Sequence, residues 1–124
     1  MGKFVIKQNA LGYTFNLVAT NGEIIGTGGE VYNTLASCKK GIESVKTNAP
    51  VAKVEDQTDK AAVQEKNPKF EIYLDKKGEF RFRLRATNGE FILASEGYTQ
   101  KVNCKNGIES VRTNAPDAEV EDPR

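Results

Sequence analysis

The chain has 124 residues, with 18 Lys and Arg against 17 Asp and Glu, a net charge of +1 and no histidine. That balance supplies no global field to gather nucleic acid or an acidic membrane surface, and the missing histidine removes the commonest general base and transition-metal ligand. The two cysteines are too few for a disulfide framework, and no apolar run suits a signal peptide or a bilayer span, so a soluble cytoplasmic protein is expected.

The first predicted strand, Phe4–Gln8, leads into a turn ending at Gly12. Tyr13, Phe15, Leu17 and Ala19 then alternate with polar residues or Val18, the period of a half-buried strand. Asn21-Gly22 reads as a type I′ hairpin turn, and its register pairs Ala19 with Ile24 and Val18 with Ile25. After the third strand, Leu35, Cys38, Ile42 and Val45 fall on one helical face. Asn33 or Thr34 is its expected cap. Asn48, in the left-handed conformation, and Pro50 are its expected stop. Gly41 inside that helix costs about 1 kcal/mol relative to Ala, which predicts a close approach to the sheet or to a second helix. A short strand closes the unit, which reads βββαβ.

The unit is then repeated. "GIESVKTNAP" at Gly41–Pro50 returns as "GIESVRTNAP" at Gly107–Pro116, with Lys46 exchanged for Arg112. Phe70–Leu74, Gly78, the alternating Phe80, Phe82, Leu84 and Ala86, the turn Asn88-Gly89 and the helix of Cys104, Ile108 and Val111, capped by Thr99, follow in the same order. Residues 1–56 and 69–124 are thus two copies, and 57–68 is a polar linker without counterpart. Copies of this size bury only about 60% of their unfolded surface alone, so sharing one core favours a single globular unit and a monomeric chain.

The strand "GEFRFRLRATNGE", followed by "ILASEGYTQK" and "GIESVRTNAP", resembles the YegP-like family of small bacterial proteins. The resemblance covers both copies; the first departs from it at "IIGTGGEVYNT". It implies an α+β fold of tandem βββαβ units about a pseudo-twofold axis. The units form one antiparallel sheet with two helices packed on it and exchanged terminal strands. It carries over no catalytic residue.

Several groups merit weighing as sites. Cys38 and Cys104 face inward on matching helices; without an activating neighbour they read as small core residues rather than a redox pair. Arg81, Arg83 and Arg85 project from one strand face beside Tyr73. That is a nucleic-acid-binding stripe if the arginines are free, and a set of cross-strand ion pairs if Glu71, Asp75, Glu90 or Glu96 meets them. Val5, Val18 and Ile25 are expected to face outward together as a protein-binding patch. Glu43, Ser44, Glu109 and Ser110, identical in both copies, are candidates for contact between them. The paired acids in "VED" at Val54–Asp56 and Val120–Asp122 offer too few convergent oxygens for a calcium site. No phosphate loop, HExxH or CxxC motif is present, so neither cofactor, metal nor catalytic residue is assigned. The function expected is non-enzymatic protein binding, with single-stranded nucleic acid as the alternative.

Overall fold

The computed structural model describes residues 2–123. The first copy forms β1 (Lys3–Asn9), β2 (Gly12–Val18), β3 (Ile24–Gly28), α1 (Leu35–Asn48) and β4 (Lys53–Asp56). The second forms β5 (Lys69–Leu74), β6 (Phe80–Arg85), β7 (Phe91–Ala94), α2 (Lys101–Asn114) and β8 (Glu119–Glu121). All eight strands join one sheet in the order β4-β5-β6-β7-β3-β2-β1-β8. The pseudo-twofold axis therefore passes between β3 and β7, and each copy's last strand lies at the far edge of the other copy. Both exchanged strands pair in parallel, β4 with β5 and β8 with β1, so the sheet is mixed where a purely antiparallel one was expected. Each copy's meander is antiparallel, as its short turns require, and the helix between β3 and β4 reverses the chain so that β4 enters alongside β5.

The hairpin turns correct one expectation. Gly22 and Gly89 have φ of +87° each, and among the described residues only glycines have positive φ. The Gly22 N–H bonds the Ala19 carbonyl and the Ala19 N–H bonds the Glu23 carbonyl, 2.9 and 2.8 Å. This is a three-residue loop with a left-handed Gly, not type I′. The longer loop shifts the register, pairing Leu17 with Gly26 and Val18 with Ile24. Ile25 becomes the extra residue of a bulge and enters the core at 6% exposure, while Ile24 takes the outward place at 50%. The second copy repeats the shift, with Ile92 between the rungs Leu84–Leu93 and Arg85–Phe91.

Both helices cover the face that carries Phe4, Phe15, Leu17, Phe70, Phe82 and Leu84, all fully buried. Phe15 stacks on Tyr32 at 6.2 Å and Phe82 on Tyr98 at 6.5 Å. Each tyrosine then meets the helix at the conserved-in-both-copies glycine: a Cβ on Gly41 would stand 2.3 Å from the Tyr32 hydroxyl, and one on Gly107 2.6 Å from that of Tyr98. The repeated glycine is a seat for an aromatic ring of its own copy.

The helix ends also differ from expectation. Thr34 caps α1 through the Ser37 N–H at 3.1 Å, but α2 begins after Gln100 with no side-chain cap, so Thr99 has no such role. Asn48 and Asn114 are the last helical residues, followed by right-handed Ala49 and Ala115. Their amides donate back to the Ser44 and Ser110 carbonyls, each at 2.8 Å. Their amide oxygens accept from the hairpin threonine of the other copy, Thr87 for Asn48 at 3.1 Å and Thr20 for Asn114 at 3.5 Å.

The open face of the sheet

The second face of the sheet carries no helix. Side chains opposite one another across rungs share a face, so Lys69 with Arg85, Glu71 with Arg83 and Tyr73 with Arg81 stand together on the copy-two half. The copy-one half presents Lys3 with Val18 and Ile24, then Val5 with Asn16, then Lys7 with Thr14.

On the copy-two half the arginine stripe is met by carboxylates. Glu71 is 2% exposed and accepts from Arg83 Nε at 2.7 Å and Arg85 Nε at 2.9 Å, with Lys69 Nζ at 3.3 Å. Arg81 Nε donates to Asp75 at 2.7 Å. The Arg83 guanidinium lies 4.4 Å from the Tyr73 ring centre and 4.6 Å from that of Phe91, and Arg85 lies 4.0 Å over Phe91. The four named residues of the stripe thus come together as one stacked and ion-paired surface, the second of the two arrangements considered from sequence.

The linker explains why charges are buried on an uncovered face. It runs from the end of β4 back to the start of the parallel β5, about the minimum length for such a crossover, and crosses the outer face there. The Glu65 N–H and the Gln57 amide both donate to Glu55, each at 2.7 Å, and Lys69 Nζ reaches Glu55 at 2.9 Å. A polar cleft of about 640 Å³ remains between the linker and Glu71, Arg85 and Thr87. Burial raises the Glu55 carboxyl, but the bonds from Lys69, Gln57 and Glu65 outweigh it and hold the group down to about 2. Glu71 is likewise raised by burial and lowered further by Arg83, Arg85 and Lys69, and ends below the usual carboxylate range.

On the copy-one half, Val5 and Val18 are half-buried and Ile24 exposed, with no linker above them. Ile25 does not belong to this patch, and the three-residue hairpin loop is what excludes it.

The remaining sequence candidates lie elsewhere. Glu43 and Glu109 are exposed at 69% and 62% and pair only within their own helices, with Lys46 and Arg112. Ser44 and Ser110 hold the asparagines that make the cross-copy bond and do not cross themselves. Sequence reasoning missed those asparagines, although "TNG" and "TNAP" both survive in each copy. Cys38 and Cys104 are buried free thiols, raised by burial, Cys104 to about 11 with Asp56 adding to the shift. The "VED" acids are engaged by lysines of the other copy: Glu55 by Lys69, Asp56 by Lys101, Glu121 by Lys3 and Asp122 by Lys39. These pairs fasten the exchanged strands. No helix among the described residues is long and apolar enough to cross a membrane.

Comparison with known proteins places these features in a family. A domain of unknown function, DUF1508, matches the chain twice, over residues 9–56 and 75–122. A UPF0339 protein of Bordetella pertussis is 39% identical over 121 residues, which cover 98% of this chain and 95% of that protein. One of Treponema denticola is 64% identical over 52 residues, 42% of this chain but 90% of its own length, so it corresponds to a single copy. A UPF0339 protein in the ptx operon 5′ region of Stutzerimonas stutzeri is 71% identical over 48 residues, 39% of this chain and less than half, 43%, of that protein. The solution structure of the Escherichia coli protein of unknown function yegP superposes with a TM-score of 0.76 at 31% identity, covering 98% of this chain and 91% of that one.

Proposed function

Because the chain belongs to the DUF1508 family of UPF0339 proteins, whose names state no activity, we propose its role from its own surface: a non-enzymatic, monomeric module that binds another protein. The contact surface is the open sheet face of copy one. One observation carries this reading. Val5, Val18 and Ile24 stand on adjacent strands, the valines half-buried and Ile24 exposed, where the matching positions of copy two, Glu71, Arg85 and Phe91, are engaged with one another. Clustered apolar side chains on a sheet face gain most from being covered by a partner.

Nucleic acid is the weaker reading, because each of the three guanidiniums already donates to a carboxylate. A phosphate backbone must compete with Glu71 and Asp75 for them, against a net charge of +1. Quantitative affinity capture from a lysate, with and without nuclease, tests both. A Val18→Glu/Ile24→Glu chain should lose nuclease-resistant protein partners and remain folded by circular dichroism. An unchanged partner set rejects the protein-binding reading. Partners that vanish with nuclease, or with Arg81→Glu/Arg83→Glu/Arg85→Glu, favour nucleic acid.

A further inference from the structure

The sequence Ala-Thr-Asn-Gly-Glu stands twice in the chain, at Ala19–Glu23 and Ala86–Glu90, each time at the tip of a hairpin. An asparagine followed by glycine is open to self-modification, because no side chain shields the glycine nitrogen. That nitrogen attacks the Asn Cγ. The new N–Cγ bond forms as the Cγ–Nδ2 bond breaks, and the amide leaves as ammonia with the proton of the attacking N–H. Water then opens the cyclic imide at Cγ, giving aspartate, or at the main-chain carbonyl, giving isoaspartate.

Both hairpins hold the reacting groups alike. Asn21 Oδ1 accepts from the Glu23 N–H and Asn88 Oδ1 from the Glu90 N–H, each at 3.0 Å, which lays each carboxamide along its glycine peptide. Each glycine N–H donates to the Ala19 or Ala86 carbonyl at 2.9 Å. Because the five residues are identical, their intrinsic reactivity is matched. A difference in rate then comes from how readily each loop opens to let the ring close.

The surroundings of the two loops differ. Arg85 donates to the Gly89 carbonyl at 2.8 Å, and the Asn67 amide of the linker stands 3.3 Å from the place of a Gly89 Cβ. Val18 replaces Arg85 in copy one and offers no donor, and no atom beyond the chain neighbours lies within 4 Å of the same point on Gly22. Thr87 ties its hairpin to Asn48 at 3.1 Å, against 3.5 Å for Thr20 and Asn114. Ala86 is buried and Gly89 half-buried, whereas Ala19 is half-buried and Gly22 exposed. A third pair, Asn106-Gly107, lies inside α2, where the glycine is buried and its N–H belongs to the helix ladder.

We infer that Asn21 is a site of spontaneous deamidation and isoaspartate formation in the folded protein, and that Asn88 and Asn106 are protected from it. Conversion raises the 17 acids to 18, equal to the 18 bases, and cancels the net charge. An isoaspartate also lengthens by one methylene the loop whose length turns Ile24 outward and Ile25 inward. The chemistry does not depend on the protein-binding reading, although the altered loop carries Ile24, which belongs to that surface.

Peptide mapping by mass spectrometry of the full-length chain, aged in mildly alkaline buffer, tests the assignment. Asn21 should convert first, with Asn88 slower by about tenfold or more, the worth of one hydrogen bond from a charged donor. Asn106 should stay intact, and its survival reports that the chain is folded. In unfolding urea, Asn21 and Asn88 should convert at one rate. Arg85→Val, which installs the copy-one residue, should speed Asn88 toward Asn21; Thr87→Val, which keeps Arg85, should speed it less. Equal rates in the folded chain overturn the proposal, as does faster conversion at Asn88 or a difference that persists in urea. An Asn21 that stays intact until urea releases it overturns it as well.

Discussion

The two halves of the open face share one backbone and carry opposite chemistry. Glu71, Arg83, Arg85 and Phe91 in copy two occupy the places of Val5, Asn16, Val18 and Ile24 in copy one. The lysine–glutamate latch that fastens each exchanged strand was kept in both. Yet Lys69 and Glu55 are each 7% exposed beneath the linker, while Lys3 and Glu121 are 51% and 32% exposed at 3.1 Å. The same two residue types in the same register therefore differ in worth, because what lies above them differs. An exposed pair contributes about 0–1 kcal/mol, whereas breaking a buried one strands a charge in a medium that cannot solvate it.

The sharpest way to break that contrast is to remove its centre. Glu71→Ala leaves Lys69, Arg83 and Arg85 without their shared carboxylate and should cost about 3–5 kcal/mol in urea unfolding. Lys3→Ala should cost less than about 1 kcal/mol. Copying copy one wholesale, Glu71→Val with Arg83→Asn and Arg85→Val, removes the stranded cations along with the anion and should cost less than Glu71→Ala alone. If the triple variant is the less stable, the network stabilises beyond the avoidance of unpaired charge. Equal costs for Glu71→Ala and Lys3→Ala would show that the linker does not seal the copy-two half.

Acid should find the same asymmetry. Glu55 is depressed in the fold, so its stabilisation is complete above its unfolded value of about 4.3 and is lost as pH falls toward the folded value of about 2. Glu71, Asp56 and Asp75 are lowered too and act in the same sense. Stability measured from pH 5 down to about 2 should therefore fall steeply. Glu55→Gln should flatten that slope.

Where the copies agree, their responses should agree. Gly41→Ala and Gly107→Ala each press a methyl into a stacked tyrosine, and overpacking of this kind costs about 1–3 kcal/mol against a propensity gain of about 1. Either variant should be milder in a background lacking the hydroxyl, Tyr32→Phe or Tyr98→Phe. Clear stabilisation by the alanine would mean the rings yield freely, contrary to the contacts at 2.3 and 2.6 Å.

What could be read from sequence follows from the range of each signal. Periodicity and duplication are local and redundant, so the βββαβ unit, its repetition and the inward Phe, Ile and Cys positions were legible. Strand exchange was legible only through family resemblance, since nothing in "VED" names the strand it will join. The open-face patch failed at one residue, Ile25, because Asn-Gly serves a two- or a three-residue loop and the difference of one residue turns a side chain to the other face. The arginine stripe was visible, but not the burial of Glu71, which depends on a linker that has no pattern of its own. Asn48 was misassigned as a left-handed stop because its bond to Thr87 spans 39 positions.

The smallest effect concerns the one difference within the repeated decapeptide. Lys46 reaches only Glu43, at 4.0 Å. Arg112, its counterpart, bonds Glu109, donates a second N–H to the Ala52 carbonyl of the other copy and lies 5.5 Å over Phe70. A lysine has no planar fork with which to hold both partners while resting on a ring. Arg112→Lys should therefore cost about 0.5–1.5 kcal/mol, and Lys46→Arg should be neutral unless it finds the equivalent carbonyl of Ala118. Reciprocal losses in the two variants would mean that the exchange is drift. A loss confined to Arg112→Lys means that copy two fastens the tail of copy one by a bond that copy one does not return.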